Sequence, residues 1–248
     1  MFEDWDAKTY DRVADVQTRW GLVVLDRLPL VGSERVLDAG CGTGRVTEHL
    51  LGRLPRGRVV ALDASEAMLA EARRRLGDGG RVEYLRADLG RPLPVDGPVD
   101  AVLSTATFHW VLDHDALFAH LAAVLRPGGA LVAQCGGPGN VASVLAAAAA
   151  LGRTTDAVNF ATPEETARRL RAAGFVDVWT WITHEPASFA STADLEAFLA
   201  AVALRTHLDG LGPAARAAFV HAVAARLPSP EIDYVRLNIL ARRAPAGD

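Results

Sequence analysis

The chain has 248 residues, 26 of them Lys or Arg and 30 Asp or Glu, for a formal charge of −4; half is apolar and 23% is charged. That composition excludes wholesale disorder and is enough for one large domain or two small ones. It gives no overall positive field for a phosphate backbone, so a dedicated nucleic-acid binder is not expected. The longest apolar stretch, Val144 to Leu151, falls far short of the roughly 20 residues a membrane-spanning helix needs. The acidic start, Met1-Phe2-Glu3-Asp4-Trp5-Asp6, has no apolar core of a secretory signal. Cys41 and Cys135 make neither a disulfide framework nor a metal-ligand spacing, so a reduced, cytoplasmic setting and no metal are expected.

Residues 1–32 read as a helical lead-in, with Val16, Trp20, Val23, Val24 and Leu28 near helical spacing and Pro29 ending the run. The pattern then becomes strand, loop, helix. Arg35–Ala39 is a strand, followed by glycines and a helix to about Leu51; Arg58–Asp63 is a second strand, and Ser65–Leu76 a second helix that Ser65 and Glu66 suit as a start. Arg81–Asp88 and Val99–Thr105 are the third and fourth strands, separated by a proline-rich loop. A helix over Asp115–Leu125 stops at Pro127-Gly128-Gly129, and Ala130–Gln134 is the fifth strand. Such alternation argues for a mainly parallel sheet with helices on both faces.

After the Gly136–Gly139 loop come an Ala-rich helix, a helix over Pro163–Ala173 and a sixth strand over Val176–His184. Trp179 and Trp181 share one face of that strand, and core or cap packing is expected of them. A mostly helical stretch, Thr192–Leu227, precedes a last strand, Tyr234–Arg242. There Val235, Leu237 and Ile239 alternate with Arg236 and Asn238, as in an antiparallel strand that is half polar on one side.

Chemistry concentrates in Val36-Leu37-Asp38-Ala39-Gly40-Cys41-Gly42-Thr43-Gly44. Three glycines between a strand and a helix allow a sharp turn and close backbone approach, and the helix start favours an anion. A dinucleotide site would want Gly where Arg45 stands. The next strand ends in Asp63, roughly 20 residues beyond the middle glycine, where an acid can accept from both hydroxyls of a ribose. Asp88 ends the third strand and can accept from an adenine amine. Acids at the carboxyl ends of neighbouring strands share one crevice of an open sheet.

With Ala61-Leu62-Asp63-Ala64-Ser65, Ala87-Asp88-Leu89 and Leu125-Arg126-Pro127-Gly128-Gly129, the order of these motifs over residues 33–135 resembles the class I S-adenosylmethionine-dependent methyltransferases. The resemblance implies an α/β Rossmann-like sheet of seven strands, the last antiparallel and inserted between the fifth and sixth. It implies S-adenosyl-L-methionine as cofactor, with Asp38, Gly40, Gly42 and Gly44 at its methionine part, Asp63 and Ala64 at the ribose, and Asp88, Leu89 and Met68 at the adenine. Ser104 is expected to line the methionine site through its backbone. Trp5-Asp6, Tyr10, Ala14-Asp15, Arg19 and Phe108-His109-Trp110-Val111, with Leu204-Arg205 and Leu208-Asp209, are similar to the trans-aconitate methyltransferase branch. Gln17 stands where that branch often has an arginine, and the last strand departs from the branch's usual pattern.

A single methyltransferase domain over 1–248 is therefore expected, with an N-terminal helical lid over 1–32 and a helical cap insertion over 185–233. Methyl transfer to a small-molecule acceptor is the expected activity, carboxylate O-methylation foremost. A C-, N- or O-methyltransferase of a natural-product or aromatic substrate, with His109 as base, is the alternative; a non-catalytic S-adenosylmethionine-binding protein is another. His109, after the fourth strand, either orients or deprotonates the acceptor, or is a pocket wall. Tyr10 is expected at the cofactor, and Trp5, Arg19, Phe108 and Trp110 at the acceptor. His114 reads as a surface or capping neighbour of the following helix.

Overall fold

The computed structural model describes residues 5–7, 9, 11 and 15–246. Its strands are β1 (Arg35–Ala39), β2 (Arg58–Asp63), β3 (Val82–Arg86), β4 (Val99–Thr105), β5 (Leu125–Gly136), β6 (Phe175–His184), β7 (Ala187–Ser188), β8 (Glu231–Ile232) and β9 (Val235–Arg243). Seven of them form one sheet in the order β3-β2-β1-β4-β5-β9-β6. β1 to β5 pair in parallel, and β9 enters antiparallel between β5 and β6. Successive residues of the central strands serve opposite faces. Leu37, Val60, Leu62 and Val102 pack on one side with Leu117, Phe118 and Leu121 of the His114–Val124 helix. Val36, Val59 and Leu103 pack on the other with Val24, Leu25 and Leu50 of the Asp15–Asp26 and Arg45–Gly52 helices.

A third apolar cluster joins the Ala142–Ala150 helix to the residues before β9, through Val144, Phe198, Leu199, Leu204, Val220 and Tyr234. This stretch holds the Thr192–Phe198 and Pro213–Ala224 helices, and the short β7–β8 pair ties its two ends together. Thr162 and Glu165 form a reciprocal capping box at the start of the Pro163–Ala172 helix, which packs beside β6.

Several expectations are corrected here. Pro127-Gly128-Gly129 do not lie ahead of the fifth strand but within it, because β5 pairs Leu125 with Val99, bulges, and resumes at Ala130 with Ala101. β9 is not exposed on its polar side: Arg236 is 2% and Asn238 0% exposed, since strands flank both edges and helices cover the faces. Trp179 is no core residue. It is 72% exposed, because β6 is an edge strand with a bulge between Val176 and Trp179 and a left-handed Asp177. Its neighbour Trp181 lies under the Arg27 guanidinium at 5.1 Å. His114 is not at the surface: Asp113 is the N-cap, and His114 is buried with Nε2 2.9 Å from the Phe108 carbonyl. Among the described residues no helix is long and apolar enough to cross a membrane, and no cluster of His, Cys, Asp or Glu is arranged to hold a metal ion.

Candidate active site

Two clefts and a chamber meet at the carboxyl edge of the sheet. The first cleft is lined by Gly40 and Gly42 after β1, Asp63 at the end of β2 with Ala64 and Met68 beyond it, Asp88 and Leu89 after β3, and Ala106 and Trp110 after β4. Asp63 and Asp88 thus face one space, as their strand-end positions predict. The Asp63 carboxylate is set by two backbone donors, Gly42 N–H to Oδ2 and Ser65 N–H to Oδ1, each at 2.9 Å. Asp88 is pinned by the Gly90 N–H at 2.8 Å. Ser65 caps its helix through Met68 N–H at 3.1 Å, which seats the buried Met68 side chain as an apolar wall. At Gly42 (φ +54°) no atom lies within 4 Å of where a Cβ would stand, while a Cβ on Gly40 (φ +86°) would strike Thr107 Oγ1 at 2.2 Å. One glycine keeps the cleft open and the other lets two loops touch.

A smaller cleft lies on the other side of the turn, lined by Gly40, Gly42, Thr43, Arg45, Gln17, Thr18 and Ala106. The chamber lies beyond Trp5, Ala106 and Trp110 and is walled by His109, Phe160, Arg236, Thr206 and His207 among others. Ala106 borders all three spaces. It holds a left-handed backbone (φ 56°) that an L-residue rarely adopts, and its N–H is tied to the Gln134 carbonyl at 2.7 Å.

His109 is buried in the chamber wall between Trp110 and Phe160. Its Nδ1 accepts the Gly136 N–H at 3.2 Å, which leaves the proton of the neutral ring on Nε2. Burial, then the Arg236 charge and His114, hold its pKa at about 3. In that tautomer the ring's second nitrogen is a hydrogen-bond donor. Arg236 lies in the same wall, 5.0 Å over the Trp20 ring and 5.8 Å from that of Tyr234. Its Nε donates to Gln134 Oε1 at 3.3 Å, and Gln134 Nε2 in turn donates to Asn238 Oδ1 at 2.9 Å. Among the described residues the chamber lining holds this one guanidinium and no carboxylate.

Other expected site residues sit elsewhere. Asp38 is 1% exposed beneath the glycine turn and accepts the Thr47 hydroxyl at 2.7 Å, so it holds the turn and does not line the cleft. Burial, opposed by the Thr47 bond and reinforced by Asp63, raises its pKa to about 6. Gly44 (φ +80°) caps the next helix, and a Cβ there would press on Leu76 and Ala72, so it is a packing glycine. Ser104 is buried and donates to the Ala39 carbonyl at 2.6 Å, tying β4 to β1. Phe108 belongs to the core, edge-on to Phe118, and Arg19 is exposed and borders none of the three spaces. Trp5 and Trp110 meet edge to face at 5.8 Å, at the border of the first cleft and the chamber. Tyr10 lies outside the described residues. Sequence reasoning missed Ala106, Gln17, Phe160 and Arg236 and gave no weight to His207; for Arg236 the polar alternation of the last strand was the available signal.

Comparison with known proteins agrees with this architecture. Residues 36–129 match the family described as a methyltransferase domain. The chain is 34% identical to a trans-aconitate 2-methyltransferase of Methylobacterium nodulans over 97% of this chain and 98% of that one. Among solved structures it is similar to a Haemonchus contortus phosphoethanolamine N-methyltransferase 2 in complex with S-adenosyl-L-methionine, with a TM-score of 0.65 and 19% identity over 96% of this chain and 56% of that one. It is similar also to the [4+2]-cyclase SpnF, with a TM-score of 0.61 and 23% identity over 92% and 81% of the two chains. The fold alone therefore fixes no reaction. A relationship that runs end to end with a methyltransferase does what the fold cannot, and it makes this protein a member of the class I S-adenosylmethionine-dependent methyltransferases.

Proposed function

We propose that the protein methylates a carboxylate oxygen of a small molecule held in the chamber, with S-adenosylmethionine in the adjoining clefts. The observation that carries this reading is the buried Arg236 guanidinium in the chamber wall, beside His109, whose Nδ1 accepts a backbone N–H and leaves Nε2–H as its donor. Such a wall favours an acceptor that arrives already anionic and needs no base. The named substrate of the Methylobacterium relative, trans-aconitate, is itself a carboxylate, which supports the same class.

The clefts fit the cofactor. The open space over Gly42 suits a close ligand, the backbone-pinned Asp63 borders the cleft where ribose hydroxyls would lie, and Met68 and Leu89 offer apolar faces to adenine, with Asp88 at its amine. Gln17 and Arg45 would meet the amino-acid end. Bound there, the cofactor supplies an electrophilic methyl on a sulfonium; transfer gives a methyl ester and S-adenosylhomocysteine, and no proton moves. Arg236 and the Nε2–H of His109 hold the acceptor carboxylate in line with that methyl, where orientation governs the rate. Residues 1–32 act as a lid and residues 185–233 as a cap that exclude water.

Incubation with methyl-labelled cofactor and a panel of carboxylic acids, phenols and amines tests the reading. The expected product is a methyl ester, which releases labelled methanol in alkali. Arg236→Met is expected to lower kcat/KM by about 100-fold, in line with loss of a charged hydrogen bond, while S-adenosylhomocysteine still stabilises the variant in thermal shift. Label found only in alkali-stable products would overturn the carboxylate assignment.

A further inference from the structure

Asp11, from the segment before the Asp15–Asp26 helix, reaches across to the glycine turn. Its Oδ1 accepts the Thr43 hydroxyl at 2.7 Å, and both carboxylate oxygens accept Arg75 Nη2, each at 2.8 Å. Arg75 closes the ring, because its Nε donates to the Thr43 carbonyl at 3.0 Å. The Asp11 carbonyl accepts Arg45 Nη1, and Arg45 Nη2 donates to Asp15. Thr43 is buried, and the Asp11 and Arg75 side chains are 22% and 21% exposed, so this is not one of the solvated surface pairs that contribute little. One carboxylate thus joins the N-terminal segment, the glycine turn and the helices that follow β1 and β2. Thr43 and Arg45 line the small cleft from the turn, and Gln17 and Thr18 line it from the Asp15–Asp26 helix. The later turns of that helix are held by packing: a Cβ on Gly21 would strike Val46 Cγ2 at 2.5 Å, and Val24 and Leu25 are buried. Its first turn is tied to the glycine turn through Arg45, which holds Asp11 and Asp15 at once. Both amide atoms of Gln17 are buried without a hydrogen-bond partner. Unmatched buried polar atoms are costly, and a ligand in the cleft would complete them.

We propose that Asp11 is a positioning residue of the cofactor site: by clasping Thr43 and holding Arg45 it sets the first turn of the Asp15–Asp26 helix so that the Gln17 amide meets the amino-acid end of S-adenosylmethionine. This role rests on the clefts being the cofactor's and is independent of the acceptor. Asp11 itself borders none of the three spaces, so it acts through Thr43, Arg45 and Gln17. Two effects of its loss oppose each other. Without the carboxylate, Arg45 and Arg75 carry more uncompensated charge, which would draw a ligand carboxylate closer. Without the clasp, the first turn of the helix loses its anchor and the Gln17 amide its fixed place. The ligand's amino-acid end carries an ammonium as well as a carboxylate, so added positive charge brings little net gain and the lost anchor dominates. Asp11→Asn separates the two, because it removes the charge and keeps an acceptor for the Thr43 hydroxyl. Gln17→Leu has its own signature: it relieves unmatched polar atoms in the free protein and removes a contact in the bound one, so stability and affinity move in opposite directions.

The test uses S-adenosylhomocysteine, with calorimetric titration read beside melting of the free protein and hydrogen exchange. Asp11→Ala is expected to raise Kd by about 10-fold, as loss of a charged hydrogen bond would, with Asp11→Asn between it and the parent. Thr43→Val should also weaken binding, and Asp11→Ala with Thr43→Val should match Asp11→Ala alone to within about 2-fold, because both open one clasp. Gln17→Leu should weaken binding by about 10-fold while the free protein melts at the same temperature or higher. Asp26→Ala, which breaks the bond to Arg53 at the far end of the same helix, should bind as the parent does. The ligand should slow exchange in the peptide that holds Gln17 in the parent and not in Asp11→Ala, while protection of the glycine turn persists in both. Unchanged or tighter binding in Asp11→Ala overturns the proposal and leaves the cofactor reading standing, and an equal loss in Asp26→Ala does the same. Parent-like affinity in Gln17→Leu overturns the part given to Gln17. Should Asp11→Ala fail to fold, parent-like affinity in both Asp11→Asn and Thr43→Val overturns the proposal. A parent protein that binds no S-adenosylhomocysteine overturns the reading of the clefts themselves.

Discussion

At the scale of single residues, two buried titratable groups behave oppositely. His109 is held neutral at about 3, and its tautomer is set by one backbone N–H. The kcat/KM profile is therefore expected to show no histidine limb between about pH 5.5 and 8.5, where a working base would titrate. His109→Gln, which keeps a donor, should retain activity to within about 10-fold, and His109→Phe should lose more than that. An inflection near pH 6.5 that vanishes in His109→Gln would restore the base. Asp38 is the other case. Its pKa is raised from 3.8 to about 6, so the folded state holds its proton more tightly than the unfolded one. Its contribution is then fully favourable below about pH 4 and is lost as pH rises through about 6. Asp38→Asn keeps the acceptor for Thr47 and carries no charge. Relative to the parent it should gain on the order of 2–3 kcal/mol between pH 4 and 7, read from urea melts at each pH. The residue types at both positions were visible in the sequence. Their roles were not, because burial and a bond to a distant backbone or side-chain group decided each.

At the scale of elements, caps and turns were read well. Ser65 stands at the predicted helix start, and the structure adds that its hydroxyl also seats Met68 in the first cleft. Ser65→Ala should cost about 1 kcal/mol of stability and weaken S-adenosylhomocysteine binding more than Thr162→Ala, which removes a comparable cap away from the site. Equal binding in the two variants would deny the cap any part in the site. Strand boundaries were less legible. β5 runs through Pro127-Gly128-Gly129 because pairing with β4 can skip a bulge, and breaker residues carry no record of what the neighbouring strand tolerates. The polar side of β9 was visible as alternation, yet solvent and a buried network look alike in one strand. Asn238 takes Arg27 Nη1 at 2.6 Å and Gln134 at 2.9 Å, partners 211 and 104 residues away in the chain.

For the molecule as a whole, Trp5 is the meeting point of separate parts of the chain. It touches Trp110 at the end of β4's loop, and the Arg205 guanidinium from the segment before β9 lies 4.4 Å over its ring. It borders both the first cleft and the chamber. Trp5→Ala is expected to raise the KM for the acceptor by about 10-fold, as loss of a cation–π contact and of enclosure together would. Its melting temperature should stay within a few degrees of the parent's, since the core clusters do not include it. A large drop in Tm with an unchanged KM would make Trp5 a structural staple alone.

The sequence by itself determined the succession of strands and helices through β5, the antiparallel character of the last strand, the glycine turn and the two acids of the first cleft. Those features are local: each depends on spacing within one strand, turn or helix start, and parallel topology then brings successive strand ends to the same edge. Only the tertiary structure decided which way His109 faces its proton, that Asp38, Ser104 and Phe108 are buried supports, and that Arg236 and His207 share a wall with Trp110. These depend on contacts between segments far apart in the chain, where burial and the identity of the opposing group set the chemistry.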